Sequence, residues 1–255
     1  MSDKPQVWIV TPQKRLALPE GKVENINKLL DAFDDHFSQP IRDLARWKDL
    51  PWDVWVFASG GGGIYQARNV AATNFVQETK NDNDTILFHD YDLLASAQDY
   101  VNILCHDLSI VGGLYTTRED NGHWVMNRLA GARPSERGIL PVMELGTGFK
   151  AFKRRVFTKV LKDNPWLDCE SDANHRKRFY SFFSMGPVWD KKLWPGRGRG
   201  LTEDYWFDWI TRESGFTTCV DTTVKLRHYD DFTKKTFPAV FPPDPGKLPP
   251  EAREP

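Results

Sequence analysis

Cysteine is scarce in this chain of 255 residues: Cys105, Cys169 and Cys219 lie far apart and form no Cys-x-x-Cys pair. That spacing indicates neither a disulfide framework nor a cysteine zinc site, and a reducing cytoplasm is the expected compartment. An excess of one charge sign is missing too. With 34 Lys and Arg against 35 Asp and Glu, nothing draws the whole molecule to nucleic acid or an anionic membrane, so any polyanion has to be met by a local patch. No apolar run approaches the roughly 20 residues that span a bilayer. The polar stretch Met1 to Gln6 runs directly into Val7-Trp8-Ile9-Val10, leaving no room for a signal peptide. The expectation is a soluble protein without an internal repeat.

What is present reads as one large α/β domain. Three apolar segments, Val7 to Val10, Asp53 to Ala58 and Thr85 to Phe88, have the length and bounds of strands. Between them, Val23 to Phe37 and Arg68 to Gln77 place apolar residues at helical spacing, and this alternation predicts a parallel sheet covered by helices. Further on, a helix is expected over Ser96 to His106, a strand over Leu108 to Leu114, an apolar strand region over Val142 to Phe152 and a basic helix over Arg154 to Lys162. Asn164 to Gly200 lacks periodicity and reads as a long surface excursion. Thr202 to Ser214 restores a helix with Thr202 as N-cap and Gly215 as its stop, and Phe216 to Leu226 closes the sheet. From Phe237 onward repeated prolines predict a tail without regular structure, extended or disordered.

The strand ending Thr85-Ile86-Leu87-Phe88-His89-Asp90-Tyr91-Asp92 carries two aspartates one residue apart. Side chains at i and i+2 of an extended strand point the same way, so Asp90 and Asp92 are expected to converge on a divalent cation at the carboxyl edge of the sheet. Hard oxygen ligands favour Mg²⁺ or Mn²⁺. The turn Ser59-Gly60-Gly61-Gly62-Gly63 is placed to cradle phosphate but has no Gly-Lys-Ser/Thr ending, which argues against a P-loop. After it come Gln66, Arg68 and Asn69, where a guanidinium suits a nucleotide diphosphate or base. Gly146-Thr147-Gly148-Phe149 suggests a close backbone approach to a ligand. Glu203 and Asp204 open a helix, a position the helix dipole favours and also one for a general base, and His228 follows the last strand. In the long excursion Trp189, Lys191, Lys192, Trp194, Arg197 and Arg199 interleave rings with positive charge, as do residues 175–180, a combination suited to stacking on bases and meeting phosphates.

Taken in order, these motifs make the chain resemble a GT-A-type glycosyltransferase. The resemblance is carried by Gln66-Ala67-Arg68-Asn69, by Ile86 to Asp92, by Gly146 to Phe157, and by Glu203-Asp204-Tyr205-Trp206-Phe207 leading to Gly215-Phe216 and Val220-Asp221-Thr222. It covers roughly residues 5–230. It implies a Rossmann-like mixed sheet flanked by helices in a single catalytic domain over 1–236. A nucleotide-sugar half would span about 1–95, an acceptor half about 96–236, and a Pro-rich tail 237–255. It implies a nucleotide-sugar donor, foremost a UDP-sugar, met by Thr11, Pro12, Arg68, Asp90, Gly146 and Gly148. Mn²⁺ or Mg²⁺ would be held by Asp92 and His228 with Asp90. Asp204 would act as base with Glu203 as its helper in an inverting reaction, or orient donor or acceptor in a retaining one. The chain is also similar to stand-alone phage-encoded glycosyltransferases, some of which modify hydroxymethylated pyrimidines in DNA. That likeness implies a DNA acceptor met by the residues from Trp189 to Arg199, a cell-surface glycan or lipid-linked sugar being the alternative. A nucleotidyltransferase is disfavoured, because Thr11-Pro12-Gln13-Lys14-Arg15 has no glycine. A non-catalytic carbohydrate- or nucleic-acid-binding module has no need for all of Asp90, Asp92, Glu203, Asp204 and His228.

Overall fold

Residues 4–13, 30, 35–47, 49–60, 63–120, 122–171, 177–188, 198–230, 233–238, 241–243 and 245 are described by a computed structural model. Alternating side chains of the first strand, β1 (Gln6–Gln13), divide the core in two. Val7 and Ile9 face a cluster with Phe37, Ile41 and Leu44 of helix α1 (Asp35–Ala45) and Tyr100 and Ile103 of α3 (Ala97–Leu104). Trp8 and Val10 face the other side, among Ala71 and Phe75 of α2 (Ile64–Glu78), Val156 and Phe157 of α4 (Arg154–Asp163), and Phe207 and Ile210 of α5 (Glu203–Glu213). A sheet apolar on both faces has to be covered on both, and it is.

Among the described residues the sheet has eight strands. Its spatial order is β2 (Asp53–Gly60), β1, β3 (Thr85–His89), β8 (Phe149–Lys153), β5 (Ile110–Leu114), β13 (Thr218–Lys225), β7 (Ile139–Leu145) and β6 (Met126–Arg128). The alternating strands and helices of the first half do build a parallel unit, β2, β1 and β3, and β5 pairs parallel with β13. β8 runs antiparallel between β3 and β5, and β7 and β6 are antiparallel as well, so the sheet is mixed. The result is a single α/β domain with a mixed sheet flanked by helices, the architecture expected from the sequence. Among the described residues no helix is long and apolar enough to cross a membrane.

Several boundaries differ from expectation for local reasons. α1 continues past Phe37 to Ala45 through Pro40, with Ile41 and Leu44 buried against the core, while the expected helix start at Val23 lies outside the described residues. The apolar stretch Val142 to Phe152 is two strands, β7 and β8, broken at Gly146-Thr147-Gly148, so that loop precedes a strand and not the basic helix. The excursion from Asn164 to Gly200 contains a 3₁₀ turn (Pro165–Leu167) and two small hairpin sheets. One pairs β9 (Asp168–Ser171) with β10 (Lys177–Tyr180), the other β11 (Gly186–Val188) with β12 (Arg199–Leu201). Periodicity fails there because strands of three or four residues are too short to display it. Phe237 belongs to β15 (Lys235–Phe237) rather than to an extended tail. Phe241 stacks on Trp124, and the Trp124 indole donates to the Pro243 carbonyl at 2.9 Å.

Candidate active site

Parallel strands deliver their carboxyl ends to one edge. Asp90 follows β3 there, Tyr115 and Arg118 follow β5, and β13 leads through a register shift into β14 (Arg227–Asp230), which carries His228. Antiparallel β8 starts at the same edge, where Phe149 pairs with His89 and the Asp90 N–H donates to the Gly148 carbonyl at 2.7 Å.

Arg68, in the second turn of α2, is the centre of this edge. Its side chain is almost wholly buried and meets three carboxylates: Asp90 at 3.1 Å and 3.2 Å, Glu203 at 3.3 Å, and Asp204 in a short contact. Burial alone would lower the guanidinium pKa, but the charges of Asp204 and Asp90 outweigh it and hold Arg68 protonated. One cation against three anions leaves an excess of negative charge. Burial pushes the Asp90 carboxyl up, with Arg68 opposing, and Glu203 is raised by burial and then by the charge of Asp204. Tyr115 faces the same group. Its phenol is held well above the ordinary range, first by burial and then by Asp204 and Asp90, and its oxygen accepts the Gly148 N–H at 2.9 Å. The ring also accounts for two glycines: a Cβ at Gly146 would lie 2.0 Å from the Tyr115 hydroxyl oxygen, and one at Gly148 2.9 Å from the ring. What approaches this loop closely is therefore Tyr115.

The pair expected to converge on one ion does not do so. β3 ends at His89, and Leu93 N–H donates to the Asp90 carbonyl at 2.9 Å, so Asp90 to Asp92 form a turn in which the i, i+2 rule of an extended strand lapses. Asp90, partly exposed, reaches Arg68, while Asp92, which is buried, pairs with Arg118. Among the described residues no group of three or more His, Cys, Asp and Glu is gathered closely enough to hold a metal. The backbones that carry two of the three expected ligands, Asp92 and His228, are neighbours. β14 pairs with β4 (Leu93–Leu94), Tyr229 N–H donates to the Asp92 carbonyl at 2.7 Å, and the charge of Arg118 acts on His228. Burial lowers the His228 pKa to about 4, so the imidazole is neutral. A hydrogen bond to the Thr116 backbone orients it, and its buried Nδ1 has no hydrogen-bond partner among the described residues. A neutral imidazole anchored through one nitrogen, with the other lacking a partner among the described residues, has the chemistry of a ligand for a divalent ion.

Other expected residues are placed as follows. Thr11 and Pro12 are buried at the carboxyl end of β1, opposite Ala58 and Ser59, and among the described residues neither the Thr11 hydroxyl nor the Thr147 hydroxyl has a hydrogen-bond partner. Asn69 turns away from the edge and closes two hydrogen bonds with the Phe183 backbone, at 2.7 Å and 2.8 Å. Of the expected acceptor residues, Trp189, Lys191, Lys192, Trp194 and Arg197 lie outside the described residues, as do Gly61 and Gly62 of the glycine-rich turn. Arg199 pairs with the buried Glu144 at 3.0 Å and lies over the Tyr205 ring at 6.0 Å. Sequence reasoning missed Tyr115, Arg118, and the buried pair of Lys150 with Asp208 that seats α5. Only Asp208 left a signal, standing four residues after Asp204 on the same helix face.

No protein-family model matches the chain, and no curated protein matches it in sequence. Similar solved structures include A197 from STIV, with 14% identity, 91% of this chain and 92% of that one covered, and a TM-score of 0.46. GalNAc-T7, solved with UDP, GalNAc and Mn²⁺, has 12% identity and a TM-score of 0.42, covering 89% of this chain but 44% of its own. TarS residues 1–349 from S. aureus has 15% identity and a TM-score of 0.34, with 84% and 57% covered. All three scores are below 0.5, and the functional reading rests on the side chains alone.

Proposed function

We propose that this chain is a nucleotide-sugar-dependent glycosyltransferase whose reaction takes place at the carboxyl edge around Arg68. The observation that carries the reading is the meeting of Asp90, Glu203 and Asp204 on the buried Arg68 guanidinium, which joins three segments far apart in sequence, those of Arg68, Asp90 and Glu203-Asp204. Asp204 opens α5 and stands among like charges, the setting of a carboxylate that takes a proton from an attacking hydroxyl. Glu203 shares Arg68 with it and fixes its orientation. Tyr115, kept protonated, offers a neutral hydroxyl toward the same group, and Thr11 and Thr147 supply buried hydroxyls for a polar donor.

Asp92 and His228 are the residues that would hold Mn²⁺ or Mg²⁺. When bound, the ion neutralises the charge that develops on a departing diphosphate. The nitrogen ligand makes Mn²⁺ the better match. Residues 1–95 form the donor half in this reading and 96–236 the acceptor half. For the acceptor we put a hydroxymethylated pyrimidine of DNA first, on the basic and aromatic composition of residues 189–199. A surface glycan or lipid-linked sugar is the rival that the same assay separates.

The test is nucleotide release with Mn²⁺ across a panel of UDP-, GDP- and other nucleotide sugars, with and without hydroxymethylcytosine-containing DNA. Release that DNA accelerates supports both donor and acceptor. Slow release indifferent to DNA keeps the transferase and turns the search to glycans. No release with any donor overturns the reading in favour of a binding module.

A further inference from the structure

The Asp92 carboxylate already holds a cation, and it is part of the protein. Asp92 is buried, its side chain 7% exposed, and its carboxylate pairs with Arg118, whose side chain is 62% exposed. The same guanidinium acts on His228 and on Asp90. Arg118 lies in the loop after β5, braced by the bridge between Thr116 and Trp124 and by Thr117 N–H donating to the His123 carbonyl at 2.9 Å. The backbone is thus anchored while the side chain reaches in from solvent. A buried carboxylate needs a compensating charge, and the His228 Nδ1, on the strand whose Tyr229 N–H bonds the Asp92 carbonyl, has no partner among the described residues.

We propose that Arg118 is a built-in counter-ion that occupies the cation position of Asp92 and His228, so that a divalent ion binds there only by displacing it. The proposal rests on the metal assignment in the glycosyltransferase reading. Its physical basis is that two cations cannot share one carboxylate at contact distance without strong repulsion. Displacement is feasible because an exposed arginine regains water and side-chain freedom when it leaves. Once released, the guanidinium stands at the rim of the site, where a diphosphate oxygen is a suitable new partner. The position would then never lack positive charge: Arg118 serves before the metal arrives, and the metal serves with the donor present.

The experiment is Mn²⁺ binding by the full chain, followed by loss of the free-ion electron paramagnetic resonance signal, for wild type, Arg118→Gln, Arg118→Lys and Arg118→Gln/Asp92→Asn. Arg118→Gln should tighten Mn²⁺ binding about tenfold, equivalent to about 1.4 kcal/mol. Arg118→Lys, which keeps the charge, should stay near wild type, and adding Asp92→Asn should abolish the gain. In thermal melts, metal-free Arg118→Gln should be less stable than wild type and recover more on adding Mn²⁺, whereas a merely structural arginine would give the loss without the larger recovery. Unchanged Mn²⁺ affinity in Arg118→Gln, with Asp92→Asn still weakening it, would overturn the proposal and leave the metal assignment standing. Mn²⁺ binding that never depends on Asp92 would remove both.

Discussion

Helix α5 carries two ionic groups one turn apart, and they differ in kind. Asp208 is matched one to one by Lys150, and both side chains are fully buried. Every strong group there is satisfied: Lys150 also donates to the Leu145 carbonyl at 3.0 Å, while Asp208 accepts from Leu145 N–H at 2.6 Å and the Thr218 hydroxyl at 2.8 Å. Asp204, on the preceding turn, belongs to the group in which a single Arg68 faces three carboxylates, all partly open to solvent. A balanced, sealed pair fixes the helix against β7, β8 and β13. An unbalanced, open one leaves charge that a ligand can answer, which is why the proposed chemistry is assigned to it and not to the sealed pair.

The largest effect should come from unbalancing the sealed pair. Asp208→Ala leaves the Lys150 ammonium buried without its partner and should cost about 3–5 kcal/mol of stability in denaturant titrations. Thr218→Val removes one hydrogen bond to the same carboxylate and should cost about 2 kcal/mol. The open group should respond with the opposite sign. Glu203→Gln removes one of three like charges and should raise stability at pH 7 by about 1 kcal/mol while lowering turnover. The sign follows from the raised pKa of Glu203 in the fold. The folded state takes up a proton more readily than the unfolded chain, so wild type gains stability from this group as pH falls, and the advantage of Gln should shrink on acidification. A stability loss in Glu203→Gln at pH 7 comparable to that of Asp208→Ala would erase the distinction between the two groups.

Much of the carboxyl edge was legible in the sequence, because strand ends and helix starts announce themselves locally. The apolar run into Asp90, the Gly-x-Gly turn, Glu203-Asp204 before an amphipathic helix and His228 after the closing strand all lie where parallel topology brings them together. The destination of Asp92 was not legible. Its partner Arg118 lies in a loop with no pattern of its own, and the turn after β3 cancels the strand geometry that the Asp-x-Asp spacing suggested. Tyr115 escaped notice for a similar reason. Its importance comes from the space left by Gly146 and Gly148, which becomes visible only when β5 and the loop before β8 lie side by side.

The sequence by itself determined the alternating elements, the two-faced core and the candidate residues, since periodicity and short motifs are properties of neighbouring positions. Tertiary structure alone decided which charge meets which. It gave Arg68 three carboxylates, Asp208 a single ammonium and Asp92 a guanidinium from a distant loop, because electrostatic partnership depends on distance through space and on burial, and neither is written in the spacing of residues along the chain.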